Sequence, residues 1–215
     1  MDLSLIHRTY PFFLDAAWVT VQISLLSLLL GLLLACVLVA CRLSPFIILR
    51  WAAKIYVSVF RGTPCLVQLF IIYFGGPQIG IELEPFSAAV IGLGMNIAAY
   101  MSESIRGAID NVDPGQEEGA RSIGFSRSQT LLFIIIPQAM KLMIRPLGVN
   151  AIGLIKGSAL VSAISVVELT YTAQRFISST YKPFEIFMVS ALLYIVMVYA
   201  VKYLVEVLDR RYATQ

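Results

Sequence analysis

The stretch AAWVTVQISLLSLLLGLLLACVLVAC, residues 16–41, runs for 26 residues without one charge. A helix that crosses the ~30 Å hydrocarbon core of a bilayer needs about 20 such residues. This stretch therefore predicts a transmembrane helix and sets the fold class as an all-α membrane protein. Its end, Leu38-Val39-Ala40-Cys41, resembles a lipoprotein cleavage site. The apolar run is far longer than the roughly 7–15 residues of a signal-peptide core, and Asp15 rather than a basic cluster precedes it, so a span is expected and not a leader. Composition agrees: 59% of the residues are hydrophobic and 13% charged, against about 45–50% and about 25% in soluble domains. Disorder is excluded too, because only 14 glycines and 9 prolines occur in 215 residues and no low-complexity tract is present.

Four more spans follow from the same criterion. The second is expected from about Trp51 to Tyr73, with a kink or break at Arg61-Gly62-Thr63-Pro64, where proline removes a backbone donor and glycine adds freedom. The third runs from Pro85 to about Arg106. The fourth, Gln138 to Ile155, contains Lys141 and Arg145, which must sit near one membrane surface or face protein. The fifth runs from Phe184 to about Leu208, with Lys202 able to snorkel. Basic residues gather in the links after the first span (Arg42, Arg50, Lys54) and the third (Arg106, Arg121, Arg127), and in the tail (Arg210, Arg211). The link after the second span carries only Glu82 and Glu84. This bias puts the N-terminus outside and the C-terminus in the cytoplasm. Residues 157–182, with Arg175 and Lys182, fit that pattern poorly; they either form an external loop or fold back into the bundle.

Several function classes lack material. The net charge is only +3 and no cluster of four Lys or Arg exists, so nucleic acid is not an expected partner. Cys36, Cys41 and Cys65 have no metal-ligand spacing, and the one histidine, His7, lies outside every span. An intramembrane enzyme built on histidine is thereby disfavoured, whereas hydropathy alone leaves a channel or a secondary carrier open.

The most informative polar segment lies between the third and fourth spans, at about 110–137. Pro114 suits the first turn of a helix, Glu117 and Glu118 suit its positive end, and Gly124 suits its stop. A polar helix of about ten residues is expected, then an amphipathic piece from Ser126 to Ile136 closed by Pro137. A short helix with small residues on one side can dock in a partner's groove. No Gly-x-x-x-x-Gly-Lys-Ser/Thr occurs, so ATP phosphates would have to be held by another chain.

Here the sequence resembles the transmembrane subunits of binding-protein-dependent ABC importers. Their cytoplasmic motif is Glu-Ala-Ala, three residues, Gly, nine residues, Ile, one residue, Leu-Pro. This chain has Glu118-Gly119-Ala120, then Gly124, then Ile134-Ile135-Ile136-Pro137, with the same spacing. Gly119 departs from Ala, which lowers helix propensity by roughly 1 kcal/mol, and Ile136 departs from Leu. A narrower resemblance, to polar-amino-acid permeases, rests on four stretches: Phe60 to Gln68 (FRGTPCLVQ), Ala99 to Gly107 (AYMSESIRG), Asp113-Pro114-Gly115-Gln116, and Lys156 to Leu160 (KGSAL). It implies one permease domain over residues 1–215 with the type I ABC importer fold, in a bacterial inner membrane. It also implies a second permease subunit, two ATP-binding cassette subunits that hold ATP and Mg, and an external solute-binding protein that delivers a polar amino acid. Oxoanions and metal ions are the alternative solutes. Glu117, Glu118, Gly119, Ala120 and Gly124 become the expected ATPase-docking residues, with Gly119 and Ala120 against the partner.

Polar residues at membrane depth mark the expected pathway, because they are costly unless they face a bundle interior or a cavity. Thr63 lies roughly 18 Å along its helix from Trp51, and Asn96 roughly 16 Å from Pro85, both near the middle of the core. Arg61, Thr63 and Asn96 are the first candidates. The competing reading is interhelical hydrogen bonding for Thr63 and Asn96, and a capping or carboxylate-paired charge for Arg61. Glu103 shares a face with Asn96, seven residues on, but Arg106 is placed to neutralise it. Ser158 and Ser162 offer hydroxyls, or cap a re-entrant helix.

Overall fold

A computed structural model describes residues 3–213. The described residues form helices and short connections. Helix α1 is Leu3–Leu43, α2 Ile47–Gly62 and α3 Cys65–Phe70, the last continuing through a π turn at Ile71–Gly75 and a 3-10 turn at Gly76–Ile79. Helix α4 is Pro85–Asp110, α5 Pro114–Ser122 and α6 Arg127–Thr130. A π turn at Leu131–Ile135 leads into α7, Ile136–Gly157, which is extended by a 3-10 segment at Ser158–Ile164. Helices α8, Leu169–Thr180, and α9, Pro183–Ala213, complete the chain.

Helix α1 is 41 residues long, or about 60 Å at 1.5 Å per residue, so it overreaches the hydrocarbon core at its ends. Its N-terminal part buries Phe13 and Ala16 against Leu169, Ala173 and Ile186 of α8 and α9. Its remainder buries Ile23, Ala35 and Val39 against Leu93, Ile97 and Met101 of α4. The two helices approach closely where small residues meet. A Cβ on Gly31 would stand 2.3 Å from Ile97 Cγ2, and one on Gly94 would stand 2.8 Å from Leu30 Cδ2. Small residues at a crossing let helix backbones pack in a membrane, where no hydrophobic difference between lipid and side chain drives association.

Of the kink or break expected in the second span, the structure has the break. Thr63 and Pro64 are extended, and the chain turns by 106° between Ile47–Gly62 and Cys65–Ile79. Residues 51–73 are thus two limbs and not one kinked helix. Among the described residues, four helices are long and apolar enough to cross a membrane, and the bent pair taken together makes a fifth span. The physical reason is the Thr63-Pro64 step: a residue before proline is pushed to extended backbone, which halts the helix.

Pro137 does not close a separate amphipathic piece, as the sequence suggests. It stands in the first turn of α7 directly behind the π turn at Leu131–Ile135, and the chain from Arg127 to Ile164 runs on as one span. Arg145 is exposed on the surface of the bundle, and its Nε and Nη2 donate to Asp209 Oδ2 of α9 at 2.9 and 2.7 Å. Residues 157–182 pack back into the bundle, with Ser158, Val161, Ile164, Val166 and Glu168 all buried. Ser165 turns the chain at φ 66.

Glu168 is completely buried and caps α8. Its Oε1 accepts from Tyr171 N at 2.8 Å, and its Oε2 accepts from Tyr194 Oη at 2.7 Å. Burial raises its carboxyl above the ordinary value, and the hydrogen bonds from Thr170, Tyr194 and Tyr171 oppose that rise. Glu168→Gln keeps acceptor capacity and is expected to melt near the parent. Glu168→Leu removes the cap and leaves the Tyr194 hydroxyl with Thr170 Oγ1, at 3.3 Å, an expected loss of about 1–3 kcal/mol. Thermal unfolding in detergent compares the two; equal melting would show that Glu168 contributes volume alone.

Candidate functional site

The break after Gly62 leaves the last carbonyls of α2 without helical partners. Gln68, only 7% exposed, lies one turn into α3 and reaches back to them. Its Nε2 is shared among Phe60 O at 3.0 Å, Thr63 O at 3.1 Å and Thr63 Oγ1 at 2.7 Å. Its Oε1 accepts from Asn96 Nδ2 at 2.9 Å, and Asn96 also donates to Phe60 O at 3.3 Å. Thr63 Oγ1 donates to Val59 O at 2.8 Å. Thr63 and Asn96 therefore do converge, on a polar patch that α2, α3 and α4 build around the broken backbone. Thr63 is exposed and Asn96 half-buried, so the patch has an open side. Gln68 is the residue that sequence reasoning missed. A glutamine four residues after the proline of a broken helix was the available signal.

A second cluster sits further along α4. Glu103 Oε1 lies 2.9 Å from Arg42 Nη1 of α1, and its Oε2 lies 3.0 Å from Arg106 Nη2 and 3.8 Å from Arg61 Nη1. The Arg42 contact is close but off the line of a hydrogen bond, so Glu103 Oε1 is buried without a hydrogen-bond donor, and Arg42 Nε is likewise buried without an acceptor. Arg61 also stands 5.4 Å from the centre of the Tyr100 ring. One carboxylate stands among three guanidinium groups, hydrogen-bonded through Oε2 alone, and the surplus of charge is positive. Glu103 is thus a partner for arginines and not a free attractant for a cation. Ser158 and Ser162 donate to Ile155 O and Ala159 O, both at 2.7 Å, so both hydroxyls serve their own helix turn.

The polar segment forms the short helix α5. Asp113 Oδ1 accepts from Gly115 N at 2.7 Å, Pro114 occupies the first turn, and Glu117 lies in that turn. The helix ends with Phe125 N donating to Ala120 O and Gly124 N donating to Arg121 O, both at 3.1 Å. Gly124 has φ 94. This is the paired closure that a left-handed residue after a helix makes possible, and it favours glycine. Ser126 and Gln129 then cap α6 reciprocally. Gln138 Nε2 of α7 donates to Gln116 Oε1 of α5 at 3.0 Å, tying the short helix to the span behind it.

Glu117, Glu118, Gly119 and Gly124 are exposed, and Ile123 is 76% exposed despite its apolar side chain. A Cβ on Gly119 would meet nothing within 4 Å. Ala120 corrects the sequence reading: it is buried within the chain and turned away from the outer face. The reason is helical spacing. Ala120 lies four residues after Gln116 and shares its face, the one that Gln138 binds.

Residues 27–214 match the family described as binding-protein-dependent transport system inner membrane component. The chain belongs to that family. The permease is 37% identical over 206 residues to the probable amino-acid ABC transporter permease protein YckA of Bacillus subtilis (strain 168), covering 96% of this chain and 91% of that one. It is 37% identical over 213 residues to the arginine transport system permease protein ArtQ of the same organism, covering 98% and 97%. A chain from a crystal structure described as an amino acid ABC transporter with histidines superposes with a TM-score of 0.94 at 36% identity, over 98% of the permease and 99% of that chain. The fold alone extends to the MetNI methionine ABC transporter, at a TM-score of 0.79 and 18% identity.

Proposed function

We propose that the permease forms the membrane path of an ATP-driven importer for a polar amino acid. The single observation that carries this reading is the match, over nearly the whole of both chains, to permeases and a solved transporter named for amino acids. The geometry supports it. Helix α5 is capped at both ends, tied to α7 and open along Glu117, Glu118, Gly119 and Ile123, which suits a groove on an ATP-binding subunit. Two such subunits, a second permease and an external solute-binding protein complete the proposed machine, which sits in a bacterial inner membrane.

ATP-driven closure of the two partners would carry the docked helices together. Val112, just ahead of α5, packs with Ile135 and Ala139 on the far side of it, so α4 and α7 would move with α5 as a packed unit. Such rigid-body rearrangement is a common switching mode. The polar patch at Thr63, Gln68 and Asn96 supplies backbone and amide groups for a ligand, as broken helices do in transporters generally. The positive surplus around Glu103 suits the carboxylate end of an amino acid.

Vesicles holding the permease, a partner ATPase and a binding protein should take up labelled arginine or glutamine only with internal ATP. Uptake without ATP would replace the importer reading with a secondary carrier. Topology is tested separately. A reporter in the turn at Gln78 should read as external and one after Ser122 as cytoplasmic, and equal accessibility would overturn the proposed orientation.

A further inference from the structure

A pocket of about 320 Å³ opens where the C-terminal ends of α1 and α4 meet the first half of α2. Its polar walls are Arg42, Arg50, Lys54, Arg106 and Asp110, and Val39 and Ile109 supply apolar surface. Asp110 pairs with Arg106, and Glu103 behind the pocket engages Arg42 and Arg106. Arg50 and Lys54 have no carboxylate partner among the described residues. Arg50 Nη1 donates only to the Ser44 and Pro45 carbonyls, at 3.3 and 3.4 Å. Lys54 stands 5.5 Å from the centre of the Trp51 ring. Arg42 Nε is buried without an acceptor. The pocket therefore sets four basic groups against one carboxylate, Asp110, which Arg106 already engages.

Its setting specifies the kind of anion. Phe46, Ile47, Ile48 and Trp51, at the start of α2, are 67%, 60%, 78% and 58% exposed. Apolar and aromatic residues on one part of a helix, with basic residues beside them, are how a helix lies in a membrane interface. The pocket is at the end of α4 that leads into α5, so it lies on the docking side of the bundle. We infer that this pocket binds the phosphodiester headgroup of an anionic phospholipid, with its acyl chains against the exposed face of α2. Basic pockets between spans on the cytoplasmic side are suited to such headgroups. A bound headgroup would bridge α1 and α2 to α4. If α4 moves with α5, as the importer reading holds, anionic lipid would also tune coupling.

Binding itself is tested without transport, so failure of one reading does not imply failure of the other. The full-length permease is stripped of lipid in detergent, phosphatidylglycerol is added back, and retained lipid is counted by native mass spectrometry. Near a membrane surface each basic residue contributes a factor of about five in affinity. Lys54→Gln should weaken retention about fivefold, and the Arg50→Gln, Lys54→Gln pair roughly twenty-five-fold. Lys54→Arg should retain it. Lys54 is exposed, so the single variant is read even if the pair does not fold. Undiminished retention in Lys54→Gln, or equal retention of phosphatidylcholine, would overturn the site. Displacement by excess inorganic phosphate would overturn the lipid and leave a soluble anion as the ligand.

Discussion

Gly119→Trp is expected to abolish substrate-stimulated ATP hydrolysis while leaving the permease folded and in the membrane. Position 119 is exposed on α5, and a Cβ there meets no atom of the chain within 4 Å. Bulk at this position therefore has nothing to disturb in the permease, and any loss must arise at a partner. A groove shaped around a glycine loses its close contact, and an anchor loss of about 2 kcal/mol weakens docking roughly thirtyfold. Gly124→Val should give the same outcome by another route. At φ 94 a side chain costs about 1–2 kcal/mol, and a β-branched one more, so the end of α5 shifts. Ala120→Trp is less informative, because Ala120 is packed inside the chain and overpacking alone costs about 1–3 kcal/mol. The measurement is ATPase activity in vesicles with purified partner and binding proteins. Full stimulation of Gly119→Trp would show that α5 is an ordinary loop helix.

The parts of the fold that periodicity and punctuation control were legible in the sequence. The uncharged run at 16–41 lies within α1, and Pro85 opens α4 in its first turn. Pro114 and Gly124 bracket α5 because each meets a local backbone demand. What escaped depends on distant partners. Lys141 and Arg145 obscured the fourth span, since nothing local says that Asp209, 64 residues on, meets Arg145. For residues 157–182 the sequence left an external loop and a fold back both open, since Glu168 and its partner Tyr194 belong to different helices. Pro137 read as a stop because proline ends helices far more often than it enters one behind a π turn. At the candidate pathway, Thr63 and Asn96 were visible as polar residues at depth. That they share one glutamine was not, because an amide in an apolar helix has no sequence mark of what it holds.

Gln68→Leu is expected to be the most damaging single change at the break. The substitution keeps volume but removes both amide functions at a site that is 7% exposed. Phe60 O, Thr63 O and Thr63 Oγ1 lose a donor, and Asn96 Nδ2 loses its 2.9 Å acceptor. Buried polar groups left unpaired cost about 1–3 kcal/mol each, although interhelical bonds in membranes measure nearer 0.6–2 kcal/mol. Phe60 O keeps Asn96 and Thr63 is exposed, so the net loss should be about 2–4 kcal/mol. Asn96→Leu leaves Gln68 on both carbonyls and should cost less, about 0.6–2 kcal/mol, while still impairing uptake through the loss of a polar lining group. Thermal unfolding in detergent and uptake in vesicles, measured on both variants, separate holding the break from contacting the substrate. If Gln68→Leu unfolds no earlier than Asn96→Leu, the Thr63-Pro64 backbone alone holds the bend. If Asn96→Leu transports at the parent rate, Asn96 is a structural bond between α3 and α4 and the pathway lies elsewhere.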